Sequence, residues 1–511
     1  MTRMIDRDMI SFTDKPLAVN GLFGVDKDNG ASIRLIIDAR PVNSMFIPSP
    51  PVSLPTPDLV AALNVPQGTT LYAAKVDLDN FYHRIRLPEV WWPFFALPSI
   101  RAADLGISGY AADAVIYPCC KTLPMGFSHS VFLAQAVHEH IIDTKVPLLE
   151  REARVIRQPF DPLSAATVVP SIGSPPLPLC TSALASPTGD FDLSRMRHSV
   201  YIDDLNIYHH DSLMIDLAID QYLVAMAAVN LPAKPSKIVR ATADGLECLG
   251  VFVDGRNCEV GLSVPKLQAL RMSTLRILAV GEATGRELSH LVGRWTWAML
   301  VRRPAMSIFS AVYRFIECAH DSSYTIWPSV RRELLAATGI APLLYASIRC
   351  DWSPIVIASD ASELAAGVVY TQVQPSEVRH LSLVPDKPGT DTDPVLQSFI
   401  AKSDWKIAIS HRWYQQEHIN ALEVRSSLAA IKWSLKRPDV LVPSSAGHTR
   451  LLLLVDSSAT LGSINKGRTS AHRLLRPLRT MSALLLAAGL YLKAKWIPSA
   501  MNPADKPSRC L

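Results

Sequence analysis

Two adjacent aspartates, Asp203 and Asp204, interrupt a segment whose other residues are typical of a buried strand. They lie within RHSVYIDDLNIYHH, residues 197–210, where β-branched and aromatic residues flank the acidic pair on both sides. This pattern predicts a β-hairpin with the two aspartates at its tip. Because like charges so close together repel, either water screens them at an ordinary surface turn or a divalent cation binds between them.

A third carboxylate, Asp77, precedes the hairpin at the end of the apolar segment TLYAAKVDL, residues 70–78. Strand ends are where α/β sheets present ligands. If Asp77 converges with the acidic pair, the three carboxylates form an oxygen site suited to two Mg²⁺ ions. Such ions would activate an attacking 3′ hydroxyl and neutralise charge on a transferring phosphoryl group. Tyr82 would then lie beside the sugar and exclude a 2′ hydroxyl, although an ordinary core aromatic is the alternative.

Residues near these carboxylates are candidates for nucleotide binding. Lys27 and Arg34 lie around a turn in KDNGASIRLIIDARPVN and could bind a triphosphate, although isolated basic residues are more often solvated surface. In KTLPMGFSHSVF, Gly126 would let the backbone approach a ligand closely. Lys237 follows the hairpin in LPAKPSK.

Four further carboxylates occur in the last third of the chain, in the order strand, helix, strand, loop. They are Asp360 in IVIASDAS, Glu423 in HINALEVRSSL, Asp456 in LLLLVDSS and Asp505 in NPADKPSR. Taken singly, a helix glutamate is usually solvated and an aspartate after a strand usually forms a turn. Their shared order is the feature that suggests a second site.

The elements that must position these residues fall into three units. Strand-like and helical segments alternate over 1–260, which predicts an α+β domain containing an inserted Pro- and Ser-rich surface loop at 145–198. Residues 261–350 show apolar residues at helical spacing and predict a small helical domain, either a nucleic-acid clamp or simply a solvated basic face. Strands and helices alternate again over 351–511, which predicts an α/β unit.

Composition adds broad limits to these predictions. The 511 residues carry a net charge of +5, which permits a nucleic-acid partner without requiring one. The eight cysteines lack zinc-site spacing, so free thiols in a reducing compartment are expected, without structural zinc. No signal peptide or transmembrane segment is apparent, and the expectation is an intracellular protein, cytoplasmic or nuclear, with no membrane partner.

Six motifs in order resemble those of retroelement reverse transcriptases: IRLIIDARPVN, KVDLDNFYHRI, LPMGFSHSVF, YIDD, LPAKPSK and ECLGVFV. The resemblance implies an α+β right-hand polymerase, with fingers and palm at 1–260 and a helical thumb and connection at 261–350. It implies that Asp77, Asp203 and Asp204 are metal ligands and that Lys237 donates a proton to the leaving pyrophosphate. The nucleotide-binding residues it implies are Lys27, Arg34, Asn80, Phe81, Tyr82 as steric gate, Met125 and Gly126. Asn80 and Met125 depart from the residues usual in these motifs, which bears on nucleotide selectivity rather than on the chemistry.

The C-terminal carboxylates resemble those of ribonuclease H, an α/β domain that here would span 351–511. This resemblance implies two-metal hydrolysis of the RNA strand of an RNA–DNA hybrid, with Asp360, Glu423, Asp456 and Asp505 as ligands. Related domains often carry a histidine before the last aspartate, where this chain reads PSAMNPAD. Segments such as HINALEVRSSL are most similar to DIRS-like tyrosine-recombinase retrotransposons.

Together the two resemblances imply an RNA-directed DNA polymerase, a nucleotidyltransferase, with ribonuclease H endonuclease activity. The expected cofactors are Mg²⁺ or Mn²⁺, two per active site, and the expected partners are an RNA template, a DNA primer, the RNA–DNA hybrid and deoxynucleoside triphosphates. The alternative is a catalytically inactive, nucleic-acid-binding remnant of a retroelement polyprotein. A scaffold, however, has no physical use for seven clustered carboxylates. The sequence does not determine the oligomeric state.

Overall fold

The first of three structural units contains most of the strands. The computed structural model describes residues 2–27, 32–155, 191–384, 393–441 and 447–510, without the side chains of residues 27, 32 and 34. The strands of the first unit are β1 Ile10–Thr13, β2 Gly21–Lys27, β3 Ser32–Asp38, β4 Leu63–Asn64, β5 Tyr72–Asp77, β6 Ile100–Arg101, β7 Val115–Cys120, β8 Phe191–Asp192, β9 Arg197–Tyr201, β10 Asp204–His209, β11 Val239–Thr242, β12 Leu246–Cys248, β13 Val251–Asp254 and β14 Glu259–Gly261. Its helices are α1 Thr2–Ile5, α2 Arg40–Asn43, α3 Pro57–Val60, α4 Phe81–Arg84, α5 Ala102–Leu105, α6 Ser130–Lys145 and α7 Ser212–Ala228.

An antiparallel four-stranded sheet in the order β11-β5-β10-β9 lies at the centre of this unit. One face of the sheet, including Val76 and Leu205, packs in a core shared with α6 and α7. The other face, including Ala73 and Tyr208, packs in a separate core with β12 to β14. Alternate residues of β5 and β10 therefore serve different cores, as the two-residue period of a strand requires. The hairpin predicted for residues 197–210 is β9–β10, although only Asp203 of the acidic pair lies in its turn and Asp204 begins β10.

The segment predicted as an inserted loop at 145–198 is packed at both of its ends. Val155 and Leu193 are buried, and β8 pairs in parallel with β4. These flanks are therefore packed against the domain, which differs from the surface loop predicted. The sequence did not reveal this packing, because isolated buried residues in a Pro- and Ser-rich segment produce no periodic signal. Residues 156–190 lie outside the described part of the chain.

The second unit is mainly helical. Its helices are α8 Val264–Val280, α9 Gly285–Leu300, α10 Ala311–Ala319 and α11 Pro328–Ile340, and its strands are β15 Glu282–Thr284, β16 Ser323–Thr325 and β17 Tyr345–Ser347. The indole of Trp295 is fully buried among the helices and donates a hydrogen bond to Thr274 Oγ1 at 2.9 Å. Strand β17 pairs with β14 and so joins this unit to the second sheet of the first.

The third unit is a three-layer α/β domain. Its strands are β18 Asp351–Ala361, β19 Ala365–Gln372, β20 Lys406–Arg412, β21 Thr449–Val455 and β22 Leu490–Trp496. Its helices are α12 Pro375–Leu383, α13 Pro394–Lys402, α14 Ile419–Ser434, α15 Ser458–Lys466, α16 His472–Ala487 and α17 Asp505–Ser508. The sheet order is β20-β19-β18-β21-β22, in which β18, β21 and β22 are parallel. Helices α14 and α16 cover one face, and α12 and α13 cover the other.

One arginine links all three units. Arg303, in the second unit, pairs with the buried carboxylate of Asp58 in the first unit at 2.9 Å, and it donates to the carbonyl of Asn465 in the third at 3.3 Å. Removing either partner would leave an uncompensated charge, so replacing Arg303 or Asp58 alone should be destabilising. Within the described ranges, no helix has both the length and the apolar character needed to cross a bilayer. The seven cysteines in those ranges are free.

Candidate active sites

The turn between β9 and β10 consists of Ile202 and Asp203, since Tyr201 and Asp204 pair on either side of it. Ile202 has a φ of 57°, a left-handed conformation that β-branched residues rarely adopt. Two side chains of α6 hold its backbone. The amide of Ile202 donates to Gln135 Oε1 at 2.8 Å, and its carbonyl lies 2.7 Å from His138 Nδ1.

The three predicted carboxylates of the first unit meet at one end of the central sheet. Asp77 and Asp204 are direct cross-strand partners in β5 and β10. Asp203 is the adjacent turn residue, and its carbonyl accepts a hydrogen bond from the amide of Leu78 at 3.1 Å. We call Asp77, Asp203 and Asp204 the N-terminal carboxylate site.

The electrostatics of this site favour a bound cation. Burial, together with the charges of Asp204 and Asp77, raises the pKa of Asp203 to about 6. Burial also raises the pKa of Asp204, although Lys75 opposes the shift. Asp204 Oδ1 is buried and has no hydrogen-bond partner among the described residues. Carboxylate oxygens that are crowded and incompletely satisfied are suited to Mg²⁺ or Mn²⁺, so the residues present fit such ions.

Two lysines contact the site. Lys75 Nζ lies 3.1 Å from Asp204 Oδ2, and Lys237 Nζ lies 4.0 Å from Asp77 Oδ2. Lys237 was expected near the site from the sequence, whereas Lys75 was not. The signal for Lys75 was available, because it precedes Asp77 by two residues in one strand and therefore shares its face.

The structure brings part of the predicted nucleotide-binding set to this site. Tyr82 is half-buried in α4, and burial followed by the charge of Asp203 raises its pKa to about 12, so the phenol stays protonated. Phe81 beside it is buried. Asn80 precedes α4 with a φ of 50°, and its side-chain amide donates a hydrogen bond to Asp79 Oδ2 at 3.0 Å.

The remaining members of that set are placed only in part. Gly126 is exposed with a φ of 112°, and a Cβ there would come within 2.3 Å of the carbonyl of Ile37. Packing against β3 therefore requires this glycine, a reason different from the ligand approach expected from the sequence. Met125 is half-buried beside it. The backbones of Lys27 and Arg34 lie in the β2–β3 hairpin, but their side chains lie outside the described part of the structure.

A second group of carboxylates lies in the third unit. Asp360 is in β18, Glu423 is in α14 and Asp456 follows β21, and ligand oxygens of the three lie within 4.8 Å of one another. They converge because β18 and β21 are adjacent and parallel, which brings their carboxyl ends to the same edge. Burial, followed by the charges of Asp456 and Asp360, raises the pKa of Glu423 to about 9. We call these three residues the C-terminal carboxylate cluster; its oxygens also fit Mg²⁺ or Mn²⁺.

The fourth predicted ligand, Asp505, is engaged elsewhere. Its carboxylate pairs with Arg509 at 2.9 Å, one helical turn later, although its charge still contributes to raising the pKa of Asp360 after burial and Asp456. The sequence also gave no indication of Ser499, whose hydroxyl donates to Asp456 Oδ2 at 2.5 Å. The spacing of four between Asp505 and Arg509 was the available signal for the ion pair.

Comparisons with known proteins give structural neighbours only. No family model and no curated protein sequence matches the chain. It is similar to a foamy viral protease-reverse transcriptase dRH in complex with double-stranded DNA, with a TM-score of 0.47 and 12% identity over 96% of this chain and 68% of that chain. It is also similar to the foamy viral protease-reverse transcriptase in complex with double-stranded DNA, with a TM-score of 0.46 and 13% identity over 97% of this chain and 81% of that chain. For the foamy viral protease-reverse transcriptase in complex with an RNA/DNA hybrid, the TM-score is 0.45 and the identity is 12% over 99% of this chain and 75% of that chain.

Proposed function

We propose that the chain is a retroelement RNA-directed DNA polymerase with ribonuclease H activity. The observation that carries the proposal is the cross-strand pairing of Asp77 with Asp204, with Asp203 in the adjoining turn. These are the three positions that the reverse-transcriptase motifs assign to metal ligands. The separate C-terminal carboxylate cluster supports the second activity.

At the N-terminal carboxylate site, bound Mg²⁺ or Mn²⁺ would neutralise charge on the transferring phosphoryl group and lower the pKa of the primer 3′ hydroxyl. Tyr82 lies close enough to Asp203 to be affected by its charge. Its ring would exclude a ribose 2′ hydroxyl. Lys237 is more than half exposed beside Asp77, and it would protonate the leaving pyrophosphate. Lys27 and Arg34 would bind the triphosphate.

At the C-terminal carboxylate cluster, a metal pair would supply an aligned and deprotonated water for cleavage of the RNA strand. Asp360, Glu423 and Asp456 would hold the ions. Asp505 would become a fourth ligand only when its ion pair with Arg509 breaks. Breaking this pair costs little free energy, because Arg509 is exposed. The substrates of the two sites would be a primed RNA template with deoxynucleoside triphosphates, and the resulting RNA–DNA hybrid.

Primer extension on poly(rA)/oligo(dT) with Mg²⁺ or Mn²⁺ tests the proposal. The wild-type chain should extend the primer. Asp203→Asn or Asp77→Asn should abolish extension but leave template binding measurable, because binding depends mainly on phosphate contacts. Asp113→Asn, at an exposed aspartate of the same unit, is the matched control and should extend normally.

Two results would contradict the proposal. Near-full extension by Asp203→Asn would show that the carboxylate site is not the reaction centre. A wild-type chain that binds template but neither extends primers nor cleaves hybrids would be the inactive remnant instead.

A further inference from the structure

We infer that His138 is a positioning residue of the N-terminal carboxylate site, because it fixes the carbonyl of Ile202 and with it the turn that carries Asp203. The inference rests on the proposed function, since it assigns a role at the same site. His138 belongs to none of the six motifs that the sequence analysis identified.

The hydrogen-bond partners of His138 determine its tautomer. Nδ1 lies 2.7 Å from the carbonyl of Ile202, and Nε2 lies 2.8 Å from the hydroxyl of Tyr222. A carbonyl can only accept, so Nδ1 carries the hydrogen, and Nε2 accepts from the tyrosine hydroxyl. Both side chains are fully buried, so no solvent competes for these bonds.

The turn requires such support because of its conformation. Ile202 is a β-branched residue in the left-handed region, which persists only when the surroundings determine it. Gln135 accepts from its amide, and His138 donates to its carbonyl. The two side chains are three residues apart on α6 and therefore share the face that meets the turn. Every backbone polar group of Ile202 is thus held by α6.

His138 also contacts the second element of the site. Its ring packs against Phe81, with centroids 5.6 Å apart, and Phe81 precedes Tyr82 in α4. A change at residue 138 therefore reaches both the carboxylate turn and the residue proposed to lie beside the sugar. Burial lowers the pKa of His138 to about 4, so the imidazole stays neutral at working pH and acts through geometry.

Two substitutions distinguish the role of His138 Nδ1 from that of Nε2. His138→Asn places an amide NH₂ where Nδ1 lies and retains a donor to Ile202, whereas His138→Gln places its amide near Nε2 and loses that donor. His140→Gln, at an exposed histidine on the same helix, is the matched control. All three are made in full-length chain carrying Glu423→Gln and Asp456→Asn, which removes two ligands of the C-terminal carboxylate cluster.

The first measurement is Mn²⁺ binding by electron paramagnetic resonance, and the second is primer extension with kcat and KM determined separately. His138→Gln should weaken Mn²⁺ binding and lower kcat by about tenfold, because a buried carbonyl loses its partner. His138→Asn should stay within about threefold of the parent, as expected if the donor to Ile202 is the interaction that matters. His140→Gln should match the parent.

The outcomes separate the inference from the proposed function. Equal losses in the Asn and Gln variants, or no loss in either, would overturn the inference by leaving His138 a packing residue. If His138→Gln does not fold, Tyr222→Phe and His138→Leu replace it. Tyr222→Phe leaves the Nδ1 donor to Ile202 in place, so it should match the parent, whereas His138→Leu, which fills the space without a donor, should show the loss. An unchanged Mn²⁺ affinity and kcat in His138→Leu would overturn the inference. A parent that neither binds Mn²⁺ at this site nor extends primers would overturn the proposed function, and the inference with it.

Discussion

Replacing Glu423 by Gln measures how strongly the C-terminal carboxylate cluster opposes folding in the absence of metal. Glu423 is only 8% exposed. Burial, followed by the charges of Asp456 and Asp360, raises its pKa from 4.5 to about 9. Glutamine has nearly the same size and shape but cannot ionise, so it reproduces the protonated glutamic acid at every pH.

The sign of the effect follows from the raised pKa. Because the folded chain binds the Glu423 proton more tightly than the unfolded chain, the contribution of Glu423 to stability is most favourable below pH 4.5 and is lost as pH rises towards about 9. Within that window each pH unit removes about 1.4 kcal/mol, so between pH 6 and pH 8 the wild type loses about 3 kcal/mol relative to Glu423→Gln. For a domain of this size, that corresponds to a relative decrease in Tm of roughly 6 to 12 °C.

Scanning calorimetry at pH 6 and pH 8 in EDTA provides the assay. The Tm advantage of Glu423→Gln over the wild type should grow between the two pH values. Glu363→Gln, at an exposed glutamate of the same domain, should follow the wild type. Saturating Mn²⁺ at pH 8 should raise the Tm of the wild type more than that of Glu423→Gln, since only the wild type regains a ligand charge. Parallel pH dependences for wild type and Glu423→Gln would refute the reasoning.

Two further predictions concern activity. Tyr82→Ala should increase incorporation of ribonucleotides relative to deoxyribonucleotides in single-nucleotide extension assays, and unchanged discrimination would mean that the ring only packs. Asp456→Asn should reduce cleavage of a labelled RNA strand in a hybrid by orders of magnitude, because one ligand of the metal pair is lost. Extension of a preformed primer-template should survive in the same preparation; equal loss of both reactions in a folded variant would contradict two separate sites.

The features that the sequence predicted correctly are those with a local period. Strand alternation on both sides of Asp203 and Asp204 was sufficient to predict the hairpin, and the apolar segment before Asp77 was sufficient to predict its strand. The flanks of residues 156–190 were predicted less well, because Val155 and Leu193 are buried by β4 and by the second sheet, which are distant in sequence. Contacts of that kind depend on tertiary packing and leave no local pattern.

The candidate sites show the same contrast between features with a local sequence pattern and features that depend on tertiary packing. Most of the carboxylates could be predicted because they lie at or beside the ends of strands that the sequence reveals, and Glu423 because it lies on a predicted helix. The partners of Ile202 could not, because a buried Gln135 and His138 on an apolar helix acquire a role only once the hairpin turn is placed against that helix. The spacing of Asp505 and Arg509 was sufficient to predict that the two could form an ion pair. Whether this ion pair keeps Asp505 from a metal ion depends on the position of α17 beside β19, which the sequence does not give.

The two sites differ in how their negative charge is balanced, and this difference has a chemical consequence. Lys75 and Lys237 compensate the N-terminal carboxylate site from within, and the pKa of Asp203 rises only to about 6. In the C-terminal carboxylate cluster, the pKa of Glu423 rises to about 9. Near pH 7, a cation entering the N-terminal carboxylate site therefore meets a mostly ionised Asp203, whereas one entering the C-terminal carboxylate cluster must displace a proton from Glu423. Raising the pH should consequently strengthen metal binding more at the C-terminal carboxylate cluster, so hybrid cleavage should depend more steeply on pH than primer extension does at limiting metal.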